Sequence, residues 1–192
     1  MKYDPQKHHR RSIRLKEYDY SQAGAYFVTI VAWQREMLFG EIVDGEIVLN
    51  DFGKIVSEKW QWLESQYPYI ELGAWIVMPN HFHGILVIHD DGRGGSRPAP
   101  MDDISNAIRG DSRIAPTPIK HKPLGGLIGA FKTVSTKQIN LLRDTEGQAV
   151  WQRNYYEHIV RDEHEMDRIT RYIESNPSQW AEDDENPNNV RP

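Results

Sequence analysis

The chain has no cysteine among its 192 residues. That removes disulfides, thiolate zinc sites and cysteine nucleophiles together, leaving His, carboxylate, Ser and Tyr side chains to carry any chemistry. No run approaches the ~18 consecutive apolar residues that a transmembrane helix needs. The first residues, with Lys7, His8, His9, Arg10 and Arg11, lack the apolar core of a signal peptide. A cytoplasmic protein without membrane contact is the expectation. Net positive charge is also missing: 23 Lys and Arg against 28 Asp and Glu leave -5, so no global field attracts a polyanion, although charge location counts for more than its sum. What is present, 39% hydrophobic and 27% charged residues, suits one ordinary globular domain.

The charge is unevenly placed. Residues 1–16 carry six Lys or Arg against one Asp, while Glu182, Asp183, Asp184 and Glu185 crowd residues 181–192 against one Arg. Three parts follow: a basic N-terminal arm over 1–24, a domain over 25–180, and an acidic tail over 181–192. Both termini are read as solvated, with the arm as a candidate for phosphate contact. From 89 to 123 the composition shifts to Gly, Pro, Asp, Arg and Ser, which predicts a long insertion loop.

Residues 25–33 are β-branched and aromatic on both faces, as a central strand requires. Asp44-Gly45 between two short apolar runs is a hairpin signal. Asn50 or Asp51 can cap a helix whose Ile55, Val56, Trp60 and Leu63 form one stripe. Residues 75–78 and 82–88 flank Pro79-Asn80 and predict a second hairpin. A helix over 124–142, a strand over 150–160, and a helix from about 163 to 175, capped by Asp162 and stopped by Pro177, complete the order. The elements add up to an α+β domain with an antiparallel sheet and packed helices.

His81 and His83 straddle Phe82, and on a strand the period of two turns both imidazoles to one face. Such a pair can hold one metal ion, and the same spacing also fits two exposed or structurally satisfied histidines. On the last helix Tyr172 and Asn176 lie about 40° apart around the axis. They also fit a boundary aromatic and a helix-end amide.

Met78-Pro79-Asn80-His81-Phe82-His83-Gly84-Ile85-Leu86, Val150-Trp151-Gln152-Arg153-Asn154-Tyr155-Tyr156-Glu157-His158 and Tyr172-Ile173-Glu174-Ser175-Asn176-Pro177 occur in that order. Together they resemble the REP-associated tyrosine transposases of the HUH single-strand endonuclease superfamily, in which U is a bulky hydrophobic residue. The similarity runs from about residue 10 to 180. It implies a ferredoxin-like fold, a divalent ion (Mg²⁺ or Mn²⁺) on His81 and His83 with Asn176 as polar ligand, and Tyr172 as nucleophile. The implied activity is a metal-dependent single-stranded DNA endonuclease and strand transferase acting through a covalent phosphotyrosine. Its partner would be single-stranded or hairpin DNA such as REP-like palindromes, bound by a monomer or homodimer.

The chemistry is consistent with those roles. A tyrosine with its ordinary pKa near 10 is a poor nucleophile at neutral pH unless its phenolate is stabilised. Two neutral imidazoles and an amide oxygen leave coordination positions open for a phosphate. Arg10, Arg11, Arg14, Lys132 and Lys137 are the candidate DNA contacts. Tyr155 and Tyr156 are competing nucleophiles, otherwise read with Trp151 as core or base-stacking residues. Two alternatives remain: a metal hydrolase using the histidines with a carboxylate such as Glu157, and a hairpin-binding module that has lost cleavage.

Overall fold

Four strands form one antiparallel sheet in a computed structural model that describes residues 19, 20, 22–90 and 121–189. The arm residues Arg10, Arg11 and Arg14, and most of the insertion over 89–123, lie outside the described residues. Strand β1 (Gly24–Val31) is central, as its two apolar faces predict. It pairs with β5 (His81–Ile88) on one side and β6 (Tyr156–Val160) on the other, and β4 (Ile70–Val77) closes the far edge beyond β5. The spatial order is therefore β4-β5-β1-β6.

Helix α1 (Asp51–Gln66) connects β1 to β4, and α2 (Leu124–Leu142) connects β5 to β6. The four sheet strands and two crossing helices thus follow the ferredoxin-like βαββαβ plan, with the hairpin β2 (Gly40–Val43) and β3 (Glu46–Leu49) inserted before α1. At the hairpin, Asp44 and Gly45 have φ of 51° and 80°, the doubly left-handed turn that matches strand twist. Asn50 caps α1, its side-chain oxygen accepting from the Gly53 amide at 3.0 Å. Asp162 caps α3 (Glu163–Ser175) through the Glu165 amide at 2.8 Å.

The sheet separates two apolar layers. On one face Tyr26, Val28 and Ile30 of β1 and Phe82 and Leu86 of β5 pack with Trp60 of α1 and Leu127 and Phe131 of α2. On the other, Phe27 and Ile85 meet Ile169 and Ile173 of α3. The alternation along β1 and β5 decides which residues can meet α3: the odd-numbered ones.

Two expectations change. The strand predicted over 150–160 begins at Tyr156; upstream, only Trp151 bridges to Ala32. The Lys132 ammonium donates to the carbonyls of Gln152 and Asn154, each at 2.9 Å, so these carbonyls turn toward α2. After Pro177 the acidic end does not leave as a solvated tail. Residues 177–182 form a 3-10 turn, and the segment as far as 189 folds back, burying Asn186.

Candidate active site

Positions 81 and 83 both face α3, while Phe82 is driven into the opposite layer, its ring centroid 4.6 Å from Trp60 and 5.5 Å from Phe131. Gly84 follows because a Cβ there would approach Phe82 and Trp60 to 2.7 and 2.8 Å. The packed side of the strand therefore fixes the direction of the imidazoles on the other.

Both histidines are buried. Their Nε2 atoms stand 3.0 Å apart. His81 Nδ1 lies 2.9 Å from Asn80 Oδ1. The Asn80 amide nitrogen donates to the carbonyls of Glu185 at 2.7 Å and Arg35 at 3.3 Å, so the network assigns the amide oxygen to His81. His81 then carries its proton on Nδ1 and turns the Nε2 lone pair into the site. His83 Nδ1 meets the Thr29 hydroxyl at 2.9 Å; that hydroxyl donates or accepts, so it supports either tautomer. Burial, reinforced by the Arg35 charge, lowers the His81 pKa to about 3. Burial, with His81 adding, holds His83 well below its ordinary value. Both rings are neutral at physiological pH, the form in which imidazole binds metals.

The Tyr172 hydroxyl reaches His83 Nε2 at 3.3 Å, with its ring edge-on to Phe27 at 6.1 Å. Burial and then the Asp183 charge push this phenol up to about 12, against the pull of its hydrogen bond with Asn176. At neutral pH it is protonated, so a nucleophilic role needs positive charge nearby. Asn176, one turn later and buried, donates from Nδ2 to Asp183 Oδ2 at 3.1 Å, while its Oδ1 is buried without a hydrogen-bond partner. Ligand atoms of His81, His83 and Asp183 all lie within 4.8 Å of one another. Two neutral imidazoles, a carboxylate and an orphaned amide oxygen are a donor set that fits a divalent ion such as Mn²⁺ or Mg²⁺.

The other candidates are placed differently. Glu157 stands opposite Val28 in the β1–β6 ladder, and directly paired residues share a face. It therefore lies on the α1/α2 side of the sheet, away from the imidazoles, which removes the geometry that a Glu157-based hydrolase needs. His158 is engaged by Glu165 Oε1 at 2.8 Å. Tyr156 shares the imidazole face beside Phe27, with centroids 6.3 Å apart, whereas Tyr155 lies under the Lys132 ammonium, 5.5 Å from it. Lys132 and Lys137 line an open cleft of about 880 Å³ between α2 and residues 144–153. Lys137 is exposed there, while Lys132 is committed to the two carbonyls already named.

No family model matches the chain. An uncharacterized protein of Haemophilus influenzae is 37% identical over 183 residues, 95% of this chain and 96% of that protein. Another protein of that organism, named "Putative REP-associated tyrosine transposase", is 25% identical over 167 residues, 83% of this chain and 73% of its own length. Among solved structures, a REP-associated tyrosine transposase bound to a REP hairpin superposes with a TM-score of 0.53 at 18% identity, over 89% of this chain and 74% of that one. In sequence the chain is similar to a protein named as a REP-associated tyrosine transposase, and it shares the fold of a solved one.

At this site the sequence reading missed Asp183, Asn80, Thr29 and Arg35. Asn80 looked like a turn residue, and it is one, since the Met78 amide donates to the His81 carbonyl across it at 2.8 Å. Its side chain additionally sets a histidine tautomer. Asp183 was hidden in an acidic run. Its one local signal is the set of asparagines after it, whose side chains hold the last described turns together. Among the described residues no helix is long and apolar enough to cross a membrane.

Proposed function

We propose that the protein is a transposase, a metal-dependent single-stranded DNA endonuclease and strand transferase that acts on hairpin DNA with Tyr172 as nucleophile. The observation that carries the reading is the Tyr172 hydroxyl 3.3 Å from His83 Nε2, at the edge of a buried pair of neutral imidazoles. His81, His83 and Asn176 would hold Mg²⁺ or Mn²⁺. When bound, such an ion supplies the positive charge that polarises a phosphate oxygen and favours the phenolate. Phe27 orients the Tyr172 ring, and α3 holds its oxygen over the strand.

Attack forms a phosphorus–oxygen bond to Tyr172 as the bond to one sugar oxygen breaks, and that oxygen takes up a proton. One phosphodiester replaces another, so a free strand end can reverse the step without ATP. The solved relative is bound to a REP hairpin, which supports hairpin DNA as the partner here. Arg10, Arg11 and Arg14 of the arm and Lys137 on the cleft would contact phosphates, and Lys132 would brace the segment before β6. A protein working as a monomer or homodimer in the cytoplasm completes the proposal.

The test is a denaturing gel of the full chain with hairpin oligonucleotides and Mn²⁺. Wild type should leave protein covalently attached to DNA and Tyr172→Phe should not, while retaining hairpin affinity. Adduct formation by Tyr172→Phe would transfer the role to Tyr156, the other tyrosine on this face. Cleavage without an adduct would favour an activated water, and binding without cleavage would leave a hairpin-binding module.

A further inference from the structure

Beyond Pro177 the chain forms a strap, residues 177–189, laid over the imidazole pair. The Trp180 ring is 5.9 Å from that of His81. Arg35 bonds the Glu185 carboxylate and the Asp184 carbonyl, each at 3.2 Å, and Asn80 donates to the Glu185 carbonyl at 2.7 Å. Arg35 and its neighbour Gln34 make this reach from left-handed backbone, at φ of 58° and 55°. Non-glycine residues keep that conformation only where surrounding contacts impose it. Inside the strap Asn186 donates to the Trp180 carbonyl, and Asn189 to those of Glu182 and Asp183.

What this framework positions is Asp183. Its Oδ1 accepts from the Glu185 amide and its Oδ2 from Asn176, and the carboxylate stands within 4.8 Å of imidazole nitrogens on both histidines. We infer that Asp183 is the anionic ligand of the cation proposed for His81 and His83, so that cation binding and docking of the strap are one linked event. This deepens the metal-dependent reading above and rests on it. Two neutral imidazoles alone are poor partners for a hard ion, whereas a carboxylate oxygen is a preferred one. The unpartnered Oδ1 of buried Asn176, whose Nδ2 bonds Asp183, is a second, independent observation that fits a cation ligand. Because the ligand comes from the strap, an ion that binds only the docked form must stabilise that form.

The test titrates Mn²⁺ calorimetrically into the full chain without DNA and follows amide exchange over 177–189 with and without the ion. Wild type should bind, and its strap amides should slow on binding. Asp183→Asn preserves shape and the turn to the Glu185 amide but not the charge. Its affinity should fall by at least the ~10–100-fold that losing even an outer partner of a metal site costs, and Mn²⁺ should no longer slow the strap. Asp184→Asn, next to it and exposed, should bind as wild type does. The inference is overturned if Asp183→Asn binds as wild type, or if both variants lose affinity equally, which is a general field effect. Failure of Mn²⁺ to slow the wild-type strap, or to bind at all, also overturns it, and these arms need no variant that folds. Asp183-dependent binding without a covalent adduct would instead sink the nuclease reading alone; an adduct with Asp183-independent binding would sink only this one.

Discussion

Asn80→Ala should cost more than any turn residue normally does. The side chain is fully buried and makes three hydrogen bonds: to His81 Nδ1 at 2.9 Å, to the Glu185 carbonyl at 2.7 Å and to the Arg35 carbonyl at 3.3 Å. Each bond is worth about 1 kcal/mol net, and a buried donor left without a partner costs about 1–3 kcal/mol. The two carbonyls belong to part-exposed residues and can recover water, whereas the His81 Nδ1–H cannot, because its ring is buried in the site. The two lost carbonyl bonds and the stranded donor sum to about 3–5 kcal/mol of stability, or roughly 6–20 °C in Tm for a domain of this size. The variant also frees the His81 tautomer, so Mn²⁺ affinity should drop about 10–100-fold, as it does when the outer partner of a metal-binding histidine is lost. Urea unfolding of the metal-free protein measures the first effect, and calorimetric Mn²⁺ titration the second. A stability loss below about 0.5 kcal/mol, the range of ordinary surface substitutions, together with unchanged Mn²⁺ affinity would refute both the tautomer assignment and the tie to the strap.

Gly84→Ala should destabilise by about 1–3 kcal/mol through overpacking, because the atoms that its Cβ would meet belong to Trp60 and Phe82, both fully buried; an unchanged urea midpoint would refute this. Lys137→Ala should lower the salt slope of hairpin binding by about one, whereas Lys132→Met should leave the slope alone and destabilise the fold, since its ammonium holds the Gln152 and Asn154 carbonyls. Equal slope changes in the two would place both on DNA. The Glu165 carboxylate is held below its ordinary range by the Arg161 amide and then by His158. A carboxyl depressed in the folded state contributes stability in full above its unfolded pKa and loses it as pH falls through the folded one. Glu165→Gln should therefore flatten the acid limb of a stability–pH curve below about pH 4.5, and an acid limb as steep as wild type would refute the pairing.

The parts of this fold that the sequence makes legible are those controlled by neighbours in the chain. Period-two alternation put His81 and His83 opposite Phe82, because a strand residue's side is settled by its position alone. The cap at Asp162, and that at Asn50 as one of two adjacent candidates, were readable for the same reason: each satisfies an amide three residues on. The start of β6 was not, because it depends on Lys132, whose ammonium reaches across from α2 to carbonyls that a ladder would otherwise use. No window of local sequence contains both partners.

Asp183 shows the same limit at the site itself. Four acidic residues in a row read as a solvated end because like charges favour separation and offer nothing apolar to bury. What overrides that tendency is distant: Arg35 in the turn that follows β1 binds the backbone and carboxylate of the strap, and Asn80 in the β4–β5 turn binds its backbone. Both come from loops at the same end of the sheet as His81, since β1 and β5 pair with Val31 opposite His81. The hairpin turn that presents the imidazoles thus also anchors the strap that brings the carboxylate. A local change in that turn should therefore disturb tautomer, strap and ligand set together, while a change in the middle of α3 that spares Tyr172 should not.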